Sequence, residues 1–551
     1  MRLAQAGRRF LKLKGAGLLG ILFAIALCFV APRASLAQTE VPTPAPAATE
    51  APPTPGPAPA PSPGATPVPI TIDPPSAGVA VGATAQLHAY GVFGEAVVTV
   101  ADPNLLTATI DQGSRVVTLS GKAIGTTVVT IKDARGVSRD VPVRIAYTAG
   151  AIADGTSVHL TGNPASVGFV RALAAAAAAR AARTRPGATV IAPPDDLVTA
   201  HSLPQDNVAN VDVPVIIQAD GMITVSGTTH VRVYNDAAPP IPPNSLMVSD
   251  YPETLIENGV LFTADLQRGV PSRFLYFHYN PPGQVDRRIV LRAQNNSNAP
   301  SIVQFISGSG GPDTNEMLVG HISTQRFLSR LAQNEGALVS IPPNSSVNLV
   351  EQAMPAHSVV SNILQLRVLN GSAVHLTLFA QNATDSPDAS LASEDLLTST
   401  VRHARGIYEV ARFYRETLWN TTDPYLELPV GQLPLPNMLQ GEALSGDYGV
   451  QQSYQVKIVN PTSSPQAIAI YENPRGGRAT GTYLIDGVLV QSHGVPPFSR
   501  YKVRQYTVPA KGYIRVTIET MPEAGSSYPL RLVFAPDDGS VAPGASGSPV
   551  Y

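Results

Sequence analysis

Between Thr507 and Phe534 the chain twice alternates apolar with polar positions. Val516, Ile518 and Thr520 interleave with Arg515, Thr517 and Glu519, and Leu530, Leu532 and Phe534 interleave with Pro529, Arg531 and Val533. A period of two is that of a half-buried antiparallel strand. The residues between, Met521–Ser527, carry turn chemistry. The same pattern stands at Ser340–Val368, where Met354-Pro355-Ala356 takes the place of Met521-Pro522-Glu523 and Ile341-Pro342 that of Val508-Pro509. Leu364, Leu366 and Val368 take the places of Leu530, Leu532 and Phe534. Two turns of like chemistry, at Asn296–Pro300 and at Asn460–Pro465, extend the match. The C-terminal half therefore reads as two related β-sandwich modules, 246–383 and 426–538.

Upstream, short alternating runs from Ile70 to Tyr147 are separated by turn signals every eight to twelve residues or so, the signature of a sandwich. Residues 155–236 change character. A short strand at Ser157–Thr161 precedes an alanine-rich helix over Ala165–Thr184, started by Asn163-Pro164 and ended by Pro186-Gly187. Arg171, Arg180 and Arg183 are expected to face solvent. Strands at Thr189–Ala192, Val211–Gln218 and Met222–Val233 follow, so a small α+β unit is expected, bounded by the proline-rich Ala237–Ser245. Residues 384–425 read as a linker with a helix over Asp395–Trp419. The fold class is thus mainly β and multi-domain: an Ig-like β-sandwich at 68–147, the α+β unit, the two modules, and a disordered tail at 539–551.

Composition adds location. The 551 residues exceed what one core organises, so about three or four domains are expected. Charged residues are 14%, against about 25% in ordinary domains. A formal net charge of −2 with no basic face excludes a nucleic-acid partner. At the N-terminus Arg2, Arg8, Arg9, Lys12 and Lys14 precede the apolar Ala16–Val30, and small residues lead to a cleavage point between Ala37 and Gln38. This is the pattern of a secretory signal over 1–37. If it stays uncleaved, that segment is the chain's one contact with a membrane. Cys28 lies inside the apolar run, so the mature chain holds no thiol, disulfide or cysteine metal site. Residues 38–67 form a proline/alanine-rich tether, semi-rigid at about 3 Å per residue.

Asp102-Pro103-Asn104, Leu119-Ser120-Gly121-Lys122, Gly125-Thr126-Thr127 and Asp133-Ala134-Arg135-Gly136 give residues 68–147 a resemblance to bacterial Ig-like domains of group 2. They resemble equally the N-terminal domain of pilus- and flagellum-assembly secretins. The resemblance implies an Ig-like fold and, for function, a spacer. Tyr251-Pro252-Glu253, Arg273–Asn280, Val319-Gly320-His321, Pro474-Arg475-Gly476-Gly477 and Met521–Gly525 resemble a group of exported bacterial proteins, some of which carry a copper-amine-oxidase-like N-terminal domain. That second resemblance implies no activity.

Candidate chemistry is sparse. The ten histidines are singletons with no HExxH and no pair one helical turn apart, so each reads as structural and no metal or cofactor set is visible. Gly308-Ser309-Gly310-Gly311 reads as a loop and not a nucleophile elbow. A single tryptophan and 6% aromatics argue against a broad carbohydrate face. The loops holding Gly310 and Gly311, and Arg475, Gly476, Gly477 and Arg478, are the first candidates for partner contact. The reading is an exported, non-enzymatic envelope or extracellular protein that presents β modules to protein or cell-surface glycan partners. An accessory of pilus or secretion-system assembly and a hydrolase with an unrecognised site are the alternatives. Oligomeric state is not legible.

Overall fold

The computed structural model describes residues 68–540, apart from Ala392 and Gln440. The signal reading with its Ala37–Gln38 cleavage point, the 38–67 tether and most of the tail lie outside the described residues.

Two four-stranded sheets form the first sandwich. One contains Thr84–Tyr90 and Val116–Gly121, the other Gly125–Lys132 and Ser138–Ala146. The alternation does what its period requires: Leu87, Val117, Leu119, Val129, Ile131, Val141, Val143 and Ile145 close the core.

The next two expected units share one sheet. Ten strands run continuously from Thr189–Ile191 to Arg405–Tyr408. The seam lies where Gly155–Thr161 pairs antiparallel with Gly336–Ile341, and a single core extends from Ala149 to Ala380. The expected break at 237–245 is not a break in the sheet. Proline removes ladder donors, but carbonyls remain, and these accept from the sheet's side chains. Asn334 Nδ2 donates to Ala238 O and Arg367 Nη1 to Pro239 O. The helix α1, Val167–Ala181, packs on this sheet through Phe169, Val170, Leu173, Ala174, Ala177 and Ala178. Its cap is Ser166, whose Oγ accepts from Phe169 N, and not Asn163. It ends before the short strand Arg183–Thr184, ahead of Pro186-Gly187. Arg171 is half-buried, and its Nε donates to Val198 O at 2.9 Å.

Residues 395–419 hold no helix. Arg405–Tyr408 joins the ten-stranded sheet and Arg412–Asn420 pairs in parallel with Gln451–Val459. The β-branched and aromatic residues there suit a pleated surface better than a helix, and Trp419 enters the second module's core.

The repeat is visible strand by strand. Arg287–Asn295, Ser301–Asp313, Gly336–Ile341, Ser345–Met354 and Ser358–Asn370 correspond in order to Gln451–Val459, Gln466–Pro474, Tyr501–Val508, Tyr513–Thr520 and Leu530–Pro536. In both copies the first strand pairs with the fourth, and the second with the third and the fifth, all antiparallel. The second-to-third connection differs. In the first module it is the helix α2, Glu316–Ala332; in the second it is the hairpin Ala479–Ile485 and Val488–Val495.

One buried asparagine pins each copy. Asn295 Nδ2 donates to the carbonyls of Ala299, Ile341 and Pro342, and Asn460 Nδ2 to those of Ser464, Val508 and Pro509. The Oδ1 atoms accept from Ser297 and from Thr462 in the same way. Asn460→Ala strands these buried carbonyls, so a loss of about 2 kcal/mol is expected. It is read as a lower urea midpoint for the C-terminal module, and an unchanged midpoint would refute the pinning role.

Candidate functional site

The two connections that differ between the repeats meet each other. α2 begins behind the Asn315 cap, whose Oδ1 accepts from Leu318 N, and lies across Ser301–Asp313. The approach is at backbone distance. A β-carbon on Gly308 would stand 2.4 Å from Ser323 O, and one on Gly310 2.0 Å from Val319 O. The glycine run is therefore part of a strand under a helix and not a surface loop, which withdraws Gly310 and Gly311 as exposed contact residues.

On its other side α2 receives the segment Met521–Ser527 of the second module. Gly320 faces Ala524 O and Gly525 faces Glu316 O, again with no room for a side chain. Between them His321 Nδ1 lies 2.9 Å from Glu523 Oε2, and both residues are buried. Thr482 Oγ1 donates to Glu523 Oε1 at 2.6 Å and Thr480 Oγ1 to Oε2. Gln491 of the hairpin reaches His321 Nε2 at 2.8 Å, and the His493 ring stands edge-on to His321 at 5.0 Å. Burial opposes charge on His321, but Glu523 outweighs it and holds the imidazole above its ordinary pKa. Burial likewise acts against the Glu523 charge, and His321 with the two threonine hydroxyls holds that carboxyl below its ordinary range. Both shifts favour the charged pair, and Gln491 Nε2 is the atom that lies on its far ring nitrogen.

Behind this pair sits a second acid. Glu472 is fully buried, and neither of its oxygens has a hydrogen-bond partner. Tyr483 and Ser492 face it, yet their hydroxyls also lack well-formed bonds. Burial, with a smaller push from Glu523, raises the Glu472 carboxyl to about 7.

The junction opens into a cleft of about 390 Å³. Asn315, Gln325, Gln491 and Arg478 line it with polar groups, and Met317, Leu318 and Ile322 with apolar ones. Of the residues singled out in the 475–478 loop, Arg478 reaches this cleft, where its Nη1 donates to Gly494 O at 2.5 Å. Arg475 turns away to Glu427 at 3.7 Å and over the Phe498 ring. Gly476 and Gly477 lie against Tyr528 O and the Ser527 side chain. His321, Glu523 and Gln491 escape sequence reading because each is a lone polar residue; 202 residues separate His321 from Glu523. The weak signal that existed was the strong turn Met521–Gly525, whose glycine has a contact to make.

For metal-ligating chemistry, Asp250, Glu253 and His403 bring their ligand atoms within 4.8 Å of one another on a different cleft. Asp250 and Glu253 stand three apart after the strand Ser245–Ser249, but His403 arrives from before Arg405–Tyr408, so no local spacing links all three.

The chain matches no protein-family model and no curated protein. Among solved structures it is similar to the human desmocollin-1 ectodomain at 10% identity and a TM-score of 0.13, over 31% of this chain and 41% of that one. It is also similar to fibronectin(III)-like modules of Clostridium thermocellum CbhA, at 12% identity and a TM-score of 0.15, over 30% and 94% of the two chains. A third is a Bacteroides ovatus protein of a mixed-linkage glucan utilization locus, in complex with a mixed-linkage heptasaccharide, at 9% identity and a TM-score of 0.13, over 55% and 71%. The match thus spans less than half of the desmocollin ectodomain. Among the described residues no helix is long and apolar enough to cross a membrane.

Proposed function

We propose that this chain is an exported, non-enzymatic protein that presents its β-sandwiches for structural or adhesive contact, and that the α2–hairpin cleft takes an extended segment of a partner protein. The observation that carries the reading is the occupancy of His321. A His–carboxylate pair becomes a general base only if the far nitrogen meets a nucleophile or substrate proton. Here that nitrogen is held by Gln491, and among the described residues no serine, threonine or cysteine hydrogen-bonds to it. The pair instead joins the first module's helix to the Met521–Ser527 segment, which Thr480 and Thr482 tie to the second module's hairpin. The cleft it leaves open mixes thioether and aliphatic walls with amides and a guanidinium. Methionine adapts to varied side chains, and amides and arginine meet main-chain carbonyls. A sugar ring would want an aromatic platform, and no tyrosine, tryptophan or phenylalanine lines this cleft. Export rests on the basic and apolar N-terminal pattern, and the 68–147 sandwich serves as a spacer beyond the tether.

A photo-crosslinking residue at position 325 of the full chain, in its native cells, tests this. One discrete extracellular protein is expected to be captured there, with none captured from exposed position 208 on the ten-stranded sheet. Leu318→Arg should abolish the adduct. Capture of glycan alone, no adduct, or an adduct indifferent to Leu318→Arg overturns the proposal. So does any hydrolytic turnover that His321→Gln abolishes.

A further inference from the structure

Asp250, Glu253 and His403 are held together by backbone pairing. Asp250 follows the strand Ser245–Ser249, and His403 precedes Arg405–Tyr408, the antiparallel neighbour of that strand. The Asp250 amide donates to Ala404 O at 3.0 Å, which fixes the acid beside the histidine. Glu253 is anchored by its carbonyl, which accepts from Tyr279 N at 2.8 Å. His403 Nδ1 lies 2.9 Å from Glu253 Oε2 and 3.6 Å from Asp250 Oδ2.

Two observations mark this cluster as more than a salt bridge. The remaining Asp250 oxygen, Oδ1, is buried and has no hydrogen-bond partner. A buried carboxylate oxygen left unsatisfied is unfavourable, and native structures seldom keep one without a reason. Second, the three side chains line a cleft of about 310 Å³ together with Glu316 at the start of α2, and no lysine or arginine lines it. The nearby guanidinium groups are engaged elsewhere, Arg402 with Glu442 and Arg405 with the carbonyls of Tyr251 and Leu397. One imidazole therefore faces three carboxyl groups. Both are relieved by a cation at the centre of the group.

We propose that Asp250, Glu253 and His403 form a binding site for a zinc-like divalent cation, with the cleft as its open coordination side. One imidazole nitrogen and two carboxylate oxygens, with a position left for water or a ligand, is a donor set that zinc accepts. Calcium wants six to eight oxygens and a histidine gives it none. The exposed His159–Asp236, His230–Asp212 and His375–Asp265 pairs offer two ligands each and serve as internal controls. The site's cleft shares no lining residue with the α2–hairpin cleft.

The test is calorimetric titration of the chelator-treated full chain with zinc chloride. One tight equivalent is expected. Glu253→Gln and His403→Gln should each weaken it at least about tenfold, and His159→Gln should leave it unchanged. Anomalous diffraction from zinc-soaked crystals of the unsubstituted chain locates the ion without relying on variants that fail to fold. An ion among Asp250, Glu253 and His403 supports the proposal. Absence of a tight equivalent, its survival in both variants, or an ion placed elsewhere overturns it.

Discussion

Gly320→Ala is expected to destabilise the protein by more than about 3 kcal/mol, through backbone overlap at the module junction. A β-carbon there would stand 1.6 Å from Ala524 O and 2.6 Å from Ala524 C. No rotamer relieves a clash with main chain. Either α2 lifts from the Met521–Ser527 segment or the segment unfolds, and both break the His321–Glu523 pair one residue away on each side. The sign is diagnostic. Gly320 is an interior residue of α2, where alanine favours an isolated helix by about 1 kcal/mol. If the helix did not dock as described, the substitution would stabilise the chain. Thermal unfolding gives the sign, and hydrogen exchange gives the place: amides of 316–328 and 521–527 should lose protection together. A raised melting temperature with protection unchanged would dispose of the docked junction.

The same glycine shows why part of the site was illegible. Strands announce themselves by alternation, and the strands Tyr513–Thr520 and Leu530–Pro536 are readable because their core-facing positions are apolar but for Thr520. α2 was not, because the face it buries carries Gly320, His321, Ser323 and Thr324 beside Val319, Phe327 and Leu328. Close backbone packing substitutes small residues for large apolar ones, and that erases the helical stripe. The partner glycines, Gly308 and Gly310, then mimic a loop. At Arg412–Asn420 the ambiguity runs the other way: an edge strand paired on one side keeps Tyr414 and Leu418 exposed, so no clean alternation survives and the stretch reads as a helix. The repeat itself was legible, and Asn295 and Asn460 explain why. Their side chains must satisfy the same three carbonyls in both copies, so the turn chemistry is held where the surrounding apolar residues drift. What no periodicity reports is convergence across the chain. The junction acids and histidine meet because α2 docks on the second module, a fact of tertiary structure alone.

Glu523→Ala is expected to cost about 3–5 kcal/mol near pH 5.5, since it leaves a buried, charged partner behind. His321 would lose its counter-ion, and the Thr480 and Thr482 hydroxyls their acceptor. His321→Leu added to Glu523→Ala should recover part of the loss by removing the stranded imidazole. The pH course follows from the directions of the shifts. Glu523 has its pKa lowered on folding, so its contribution is present above about 4.5 and is lost as pH falls below that. His321 has its pKa raised, so its contribution is complete below about 6.5 and is lost as pH climbs through the higher folded value. Glu472 rises from 4.5 to about 7, so the folded state binds its proton more tightly and loses about 3 kcal/mol of relative stability between those values. Stability should therefore peak near pH 5 and fall toward pH 8. Asp250, Glu351 and Asp447, also raised by burial, act in the same direction, so the parent's slope alone does not isolate the junction. The difference between parent and Glu472→Gln does. The glutamine keeps the shape and cannot ionise, so the two should be similar at pH 5 and the variant more stable by about 3 kcal/mol at pH 8. Melting curves across that range decide it. Parallel curves would mean that Glu472 stays ionised in the folded protein and that the buried junction carries its charge by some other arrangement.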